Sequence, residues 1–245
     1  MMKPSIIAHN LTKTFGQFTA VDKVTFEVAP GEIFGFLGAN GAGKTTAMRM
    51  LSGLLMPTSG KAQVAGFDVY KETENIKKNI GYMSQKFSLY NDLTISENIR
   101  FFGGIYGIPK DELGTKSEAL IERLNLKQYA DTLTGSMPLG WKQKIAFSVA
   151  ILHEPKIVFL DEPTGGVDPI TRRQFWDMIY ETADRGITIF VTTHYMDEAE
   201  YCNRVSIMVD GKIAALDAPD NLKETFATDT MDGVFLQLAR GAQRA

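Results

Sequence analysis

The apolar positions of this chain change their period along its length. In the first 30 residues they alternate with polar positions, as at Val24, Phe26 and Val28, which is typical of half-buried β-strands. From about residue 88 to 140 the spacing becomes helical, and the chain then returns to short apolar runs separated by turns. The pattern predicts a small antiparallel β layer, followed by a core into which a helical segment is inserted.

Three apolar runs are short, continuous and bounded by turn residues. They cover residues 32–37, 157–160 and 187–193, and their continuity is typical of strands buried on both faces of a parallel sheet. Helical spacing follows the first run, at Ala47, Met50, Leu51 and Leu54, and the second, at Phe175, Met178, Ile179 and Thr182. Alternating strands and helices predict an α/β fold with a mixed or parallel sheet.

Two local signals refine this prediction. Thr94 and Glu97 have the spacing of a capping box, so a helix is expected to begin there and to stop near Gly107 and Pro109. The pair at residues 210–211, Asp-Gly, predicts a tight hairpin turn between two late strands.

The segment 38–46 reads GANGAGKTT and fits the phosphate-binding pattern G-x-x-x-x-G-K-[ST]. Because glycine has no Cβ, backbone N–H groups can surround a phosphate, while Lys44 reaches the β- and γ-phosphates and Thr45 ligates Mg²⁺. The expected nucleotide-binding residues of this loop are Gly38, Ala39, Asn40, Gly41, Ala42, Gly43, Lys44, Thr45 and Thr46. The alternative is a chance glycine-rich turn, but the segment lies between a predicted strand and a predicted helix, as the motif requires.

The run at 157–160 ends in two adjacent acids, Asp161 and Glu162. Open α/β sheets bind ligands at the carboxyl ends of their strands, so these side chains are expected beside the phosphates. We expect Asp161 to hold Mg²⁺ through its hydration shell and Glu162 to polarise the attacking water. A solvated turn is the alternative for two acids at a strand end, and the phosphate loop argues against it.

Composition narrows the class of protein. The 245 residues and 44% apolar content suit a globular chain with a substantial core, and a net charge of −3 with scattered Lys and Arg gives no footprint for nucleic acid, so none is expected as a partner. Cys202 is the single cysteine, which favours a reducing compartment and a buried, inert thiol. No apolar stretch reaches the roughly 18 residues of a membrane helix, and we expect no signal peptide.

Together, the motifs resemble the ATP-binding cassette (ABC) ATPases over nearly the whole chain. Phe15 matches the aromatic residue that stacks on adenine, and Gln85 matches the Q-loop glutamine that contacts Mg²⁺ and reports to the transport partner. Asp168 matches the D-loop, which crosses to a second subunit, and His194 matches the switch histidine at the γ-phosphate. Each residue alone would suit a structural role, so the resemblance rests on their order and spacing. It implies an ABC-type P-loop core, a small antiparallel β subdomain and an inserted helical subdomain.

The signature motif of this family, usually L-S-G-G-Q, is altered here. The chain reads MPLGWKQK at 137–144, so Pro138 replaces the serine and Leu139 the first glycine, while Gly140, Gln143 and Lys144 keep the register. In the family this segment faces the ATP of the partner subunit. Loss of the serine hydroxyl should remove one charge-assisted hydrogen bond, about 1.5–3 kcal/mol. Proline suits the first turn of a helix, so the site is expected to be weakened and not abolished.

The resemblance implies the ATP-hydrolysing subunit of a membrane exporter. Such a subunit would sit on the cytoplasmic face of the membrane and power a separate permease through an ATP-dependent head-to-tail dimer, formed with itself or with a homologous subunit. Its single domain, 1–245, would comprise a core of about 1–87 and 141–245 and a helical subdomain of about 88–140. The alternatives are a soluble ABC-family ATPase and a regulator that binds nucleotide without hydrolysing it. The transported substrate cannot be read from these residues.

Three large side chains follow Gln85, namely Phe87, Leu89 and Tyr90. In similar exporters the segment after the glutamine lines a groove that grips a cytoplasmic helix of the permease. The stretch lacks clean helical or strand periodicity, so we expect these side chains to dock the permease. Packing within the core of the helical segment is the alternative.

Overall fold

The computed structural model describes residues 3–85 and 89–242. The strands are β1 (Ile6–Phe15), β2 (Phe18–Val28), β3 (Ile33–Gly38), β4 (Ser59–Val64), β5 (Phe67–Asp68), β6 (Ile80–Met83), β7 (Ile157–Asp161), β8 (Thr188–Thr193), β9 (Arg204–Val209) and β10 (Lys212–Asp217). The helices are α1 (Lys44–Leu51), α2 (Thr73–Asn79), α3 (Ile95–Ile105), α4 (Lys110–Arg123), α5 (Leu139–Ala150), α6 (Pro169–Asp184), α7 (Pro219–Thr225) and α8 (Met231–Ala242). Short 3₁₀ helices occur at Lys127–Tyr129, Thr134–Ser136 and Met196–Tyr201.

Two sheets organise these elements. The larger one has the strand order β10-β9-β3-β8-β7-β6, in which only the edge strand β10 runs antiparallel to its neighbour. The smaller one has the order β2-β1-β4-β5 and is antiparallel throughout. The predicted mixed sheet and antiparallel layer are therefore confirmed. The expected hairpin turn joins β9 to β10, where Asp210 and Gly211 both have positive φ, as a two-residue primed turn requires.

The continuous apolar runs are buried on both faces of the larger sheet, as predicted. Along β3, Phe34 and Phe36 point into a cluster that lies under the smaller sheet and α1, whereas Ile33 and Leu37 join a second cluster with α5 and α6. The first cluster centres on aromatic rings, with the centroids of Phe36 and Phe190 5.2 Å apart. This two-sided burial fixes the carboxyl ends of β3 and β7, from which the site is built.

The helical segment expected at about residues 88–140 contains a helix that begins where it was predicted. Thr94 caps α3 and accepts from the amide of Glu97, whose carboxylate accepts from the amide of Thr94, so the capping box is confirmed. One assignment in the first helix was wrong. Leu54 lies beyond the end of α1 at Leu51 and is 55% exposed, because the helix closes at Ser52 and the chain turns at Gly53.

No helix in the described ranges combines the length and the apolar character needed to cross a bilayer. Cys202 is buried, as expected, and its thiol pKa is raised by desolvation.

Candidate functional site

The predicted phosphate-binding loop joins β3 to α1. Gly43 is the residue before the helix and has φ 103°, and a Cβ placed on it would lie 2.3 Å from the carbonyl oxygen of Ala20. Only glycine therefore fits this position. The first turn of α1 contains no acidic residue, so its positive N-terminal end is available to an anion.

Lys44 begins α1 and is 4% exposed. Its Nζ donates to the carbonyl oxygens of Gly38 (2.8 Å) and Ala39 (3.1 Å), so the side chain folds back along its own loop. Burial lowers the pKa of Lys44, while the carboxylates of Glu162 and Asp161 oppose this shift. A further anion beside this ammonium group would offset its desolvation.

Asp161 ends β7 at the carboxyl edge of the sheet, where the apolar run predicted it. Its Oδ1 accepts from the hydroxyls of Thr45 (3.1 Å) and Thr192 (2.7 Å), and the residue is 3% exposed. Thr192 belongs to the neighbouring strand β8 and was not identified from the sequence. Its hydroxyl also accepts from the amide of Glu162 at 3.1 Å, so it contacts both acids.

Glu162 turns the chain out of β7 with φ 48°, a left-handed conformation that is uncommon for a residue with a Cβ. The turn aims its carboxylate back over the loop. Gln85 Nε2 donates to Oε2 at 2.7 Å, and Lys44 Nζ lies 3.6 Å from Oε1. His194 Nδ1 lies 3.0 Å from Oε2 without the orientation of a hydrogen bond. The structure thus brings together four side chains that the sequence assigned to one nucleotide site, with Lys44 and His194 expected at the phosphates, Gln85 at Mg²⁺ and Glu162 at the attacking water.

A cavity of about 460 Å³ opens beside the loop. It is lined by Phe18, Ala20, Asn40, Gly41, Gly43, Lys44, Thr45, Thr46, Gln85 and Glu162. Phe15, the predicted adenine platform, is half exposed at the end of β1, with Lys13 Nζ 5.1 Å from its ring centroid. Phe18 faces it across the β1–β2 hairpin and is the aromatic residue in the cavity lining. The sequence signal that could have identified Phe18 was a second aromatic residue three positions after Phe15.

The oxygen ligands expected for a magnesium ion converge near this cavity. Thr45 supplies a hydroxyl, Asp161 a carboxylate and Gln85 an amide group. Within the described residues, no group of three or more His, Cys, Asp and Glu side chains is placed to hold a metal alone. Hydroxyl, carboxylate and amide oxygens suit Mg²⁺, which is commonly bound by one or two protein ligands together with phosphate oxygens and water.

The variant signature segment lies at the start of α5. Pro138 is the residue before the helix and not in its first turn, and it offers no side-chain cap. A Cβ on Gly140 would lie 2.4 Å from Cγ2 of Thr171, so this glycine permits the close approach of α5 to α6. Asp168 caps α6 by accepting from the amide and hydroxyl of Thr171, bonds that lower the pKa of Asp168.

Pro138, Leu139, Gly140 and Asp168 line a cavity of about 340 Å³ that shares no lining residue with the cavity at the phosphate loop. Leu139 and Gln143 also line a cavity of about 300 Å³ together with Gln85, Glu162 and His194, so only part of the signature segment is separate from the catalytic side chains of its own chain.

The segment after Gln85 divides between two environments. Leu89 is 5% exposed and joins the core cluster, so its assignment to a docking surface was wrong. Asn98 on α3 explains the burial of Leu89, because its side chain hydrogen-bonds both the amide and the carbonyl of Tyr90 and so holds this segment against α3. Tyr90 itself is 53% exposed, and Phe87 lies outside the described residues.

Comparison with known proteins agrees with this geometry. The ABC transporter family model matches residues 21–165. The chain is 49% identical over 238 residues to YbhF of Escherichia coli (strain K12), described as a probable multidrug ABC transporter ATP-binding protein, covering 95% of the chain and 41% of YbhF. It is 35% identical over 225 residues to the linearmycin resistance ATP-binding protein LnrL of Bacillus subtilis (strain 168), covering 91% of the chain and 72% of LnrL. The chain thus spans less than half of the length of YbhF.

A solved structure of an ATP-binding subunit of an ABC transporter superposes with a TM-score of 0.85 at 25% identity, covering 95% of the chain and 98% of that structure. The family match, these similarities and the convergence of Lys44, Gln85, Glu162 and His194 lead to one conclusion. The chain belongs to the ABC transporter family, as an ATP-binding ATPase domain.

Proposed function

We propose that this chain hydrolyses ATP between Lys44 and Glu162 and powers a membrane exporter through a separate permease. The supporting observation is the Glu162 carboxylate, which Gln85 and His194 contact on one oxygen and Lys44 approaches on the other. Lys44 would neutralise phosphate charge, and Glu162 would orient and polarise the attacking water. The names of YbhF and LnrL support export as the direction of transport.

Thr45, Asp161 and Gln85 would hold the Mg²⁺ that accompanies the nucleotide. When bound, this ion would neutralise charge on the phosphate oxygens. The chain's own contribution is to keep these side chains in place. The hydrogen bonds from Thr45 and Thr192 to Asp161 and from Gln85 to Glu162 do so.

The first test is steady-state phosphate release by the purified chain and by Glu162→Gln. A general base or water-orienting group typically contributes about 10²–10⁴ in rate, so turnover should fall by that factor. ATP binding should persist, because the loop and Lys44 are unchanged. Gln128→Glu, an exposed change in the 3₁₀ helix Lys127–Tyr129, is a control that should hydrolyse like the wild type. Near-normal turnover in Glu162→Gln would remove Glu162 from this role.

We further propose that two cassettes close head to tail around ATP. Pro138, Gly140 and Asp168 support this, since the cavity that they line shares no residue with the phosphate-loop cavity of their own chain and is available to a nucleotide held by another chain. Glu162→Gln should dimerise with ATP and remain largely monomeric with ADP, as measured by light scattering. A dimer population that is the same in both nucleotides would contradict closure of the chain on itself.

The permease is proposed to dock on an apolar surface of α3, which places the cassette on the cytoplasmic face of the membrane. Phe101 and Ile105 are one helical turn apart and 42% and 61% exposed, and the ring of Tyr90 packs edge-on against Phe101 with centroids 5.1 Å apart. Beside them, a cavity of about 420 Å³ is lined by Leu54, Tyr82, Ile105 and Tyr106 and also by the charged side chains of Glu74, Lys77 and Lys78. Exposed aromatic and aliphatic side chains with charged side chains beside them suit an amphipathic helix.

A further inference from the structure

A buried carboxylate lies behind the catalytic residues and has no role in the chemistry described so far. Glu198 is fully buried in the 3₁₀ helix Met196–Tyr201, four residues after His194. Its Oε1 accepts from the hydroxyl of Thr164 at 2.5 Å, and its Oε2 has no hydrogen-bond partner. A charge in this position is costly unless a second charge balances it.

Arg172 supplies that charge. Its Nε lies 3.8 Å from Oε1 of Glu198, and its side chain is 20% exposed. The guanidinium also binds Asp197 at 3.3 Å and lies 4.3 Å from the ring centroid of Tyr195. It therefore contacts the segment after His194 through two carboxylates and one aromatic ring.

Thr164, Arg172 and Glu198 come from three different segments, and each segment also carries a residue of the site. Thr164 follows Glu162 by two positions, and the amide of Gly165 bonds back to the carbonyl of Glu162. Arg172 lies in the first turn of α6, with its amide bonded to the carbonyl of Asp168. Glu198 belongs to the segment that follows β8 and His194.

Tyr195 connects this cluster to the catalytic side. Its ring centroid is 4.2 Å from that of His194, and it lines a cavity of about 300 Å³ together with Glu162 and His194. Arg172 covers the ring of Tyr195 at 4.3 Å. The rings of His194 and Tyr195 and the guanidinium of Arg172 thus form a continuous series of contacts.

Glu162 and His194 follow two different strands, β7 and β8, and their side chains meet at one 3.0 Å approach that lacks the orientation of a hydrogen bond. Their relative placement therefore also depends on the segments that carry them. We propose that Thr164, Arg172 and Glu198 are positioning residues that hold the Glu162 turn and the His194 segment in register for hydrolysis. This inference rests on the proposed hydrolysis at Glu162. A misplacement of about 1 Å in such a site can cost about 10²-fold in rate.

The test uses Arg172→Met, which keeps much of the length of the side chain and removes its charge, and Glu198→Gln, which keeps an acceptor for Thr164. For both, kcat should fall at least tenfold, whereas the KM for ATP and ATP binding in a Glu162→Gln background should stay within about threefold of the parent value. Arg172→Lys should recover part of the rate, because it restores the charge without the planar guanidinium.

Arg123→Met is the matched control. Arg123 ends α4, is 44% exposed, and pairs with Glu181 of α6 at 3.1 Å, so its substitution removes an arginine–glutamate ion pair that involves none of the proposed positioning residues. It should hydrolyse ATP like the wild type. The double variant Arg172→Met/Glu198→Gln should lose less activity than the product of the two single losses, since the two side chains act as a pair.

Wild-type kcat in Arg172→Met, or losses that multiply independently in the double variant, would overturn the proposal. So would equal effects on kcat and KM, or loss of the folded state in both single variants on thermal melting, because the cluster would then serve folding alone. Failure of the proposed function would look different, with no ATP hydrolysis by the wild type or with unimpaired hydrolysis by Glu162→Gln.

Discussion

Replacing Thr192 by valine removes one hydroxyl and preserves the shape of a side chain that is fully buried. The hydroxyl donates to Asp161 Oδ1 at 2.7 Å, and it accepts from the amide of Glu162 at 3.1 Å. The amide keeps a second acceptor, the carbonyl oxygen of Thr192 at 3.0 Å, so only the bond to the carboxylate is lost outright. A hydrogen bond to a charged group is worth about 1.5–3 kcal/mol.

Thr192→Val should therefore lower the free energy of unfolding by about 1.5–3 kcal/mol, measured by urea denaturation without nucleotide. For a chain of this size, 1 kcal/mol corresponds to roughly 2–4 °C, so the melting temperature should fall by about 3–12 °C. The remaining bond from Thr45 to the same carboxylate oxygen favours the lower half of that range.

Thr182→Val is the matched control for this substitution. Thr182 is also fully buried, but its hydroxyl bonds the carbonyl of Met178 inside its own helix at 2.8 Å. A bond to a neutral acceptor contributes about 0.5–1.5 kcal/mol, so the loss in Thr182→Val should be the smaller of the two. Equal losses in the two variants would refute the reasoning, because the charge on Asp161 would then add nothing to the strength of the bond.

Three further predictions concern the loop, the signature and the docking surface. Gly43→Ala should abolish ATP binding in calorimetry, whereas Gly104→Ala, with open space around its Cβ, should bind normally; binding by both would contradict the steric reasoning. Pro138→Ser in a Glu162→Gln background should lower the ATP concentration for dimerisation about tenfold or more by light scattering, and no change would show that the hydroxyl is not used. Tyr90→Ala should weaken association with the permease by about 2 kcal/mol or more, so that less protein co-purifies with permease-containing membranes. Tyr129→Ala, at another exposed tyrosine, should co-purify like the wild type. Equal retention of the two variants would show that Tyr90 does not take part in docking.

Local sequence predicted the parts of the site that depend on local geometry. The loop before Lys44 and the two acids at the end of β7 are fixed by a strand end and a tight turn, and both lie where the pattern predicted them. The two-sided burial of β3 likewise follows from a short continuous apolar run. The assigned catalytic and ligand-binding roles remain predictions, although the side chains converge.

Residues whose roles depend on distant segments could not be identified in this way. Thr192 and Glu198 carry no motif, and their importance arises because β8 lies beside β7 in the sheet. Leu89 was misassigned for the same reason, since its burial depends on Asn98 on α3. Phe18 and Phe15 are both aromatic and pair across the β1–β2 hairpin, so only the folded structure shows which ring lines the cavity.

Two side chains from distant elements bind the turn that follows Glu162. From α5, Gln143 donates to the carbonyl of Gly165 at 3.1 Å, and its own carbonyl oxygen is buried without a partner. From the 3₁₀ helix Met196–Tyr201, Glu198 accepts from the hydroxyl of Thr164. The two contacts fall on neighbouring residues, so in the proposed dimer a displacement of α5 would reach the Glu162 turn through Gln143, whereas the bond between Glu198 and Thr164 would limit how far that turn moves.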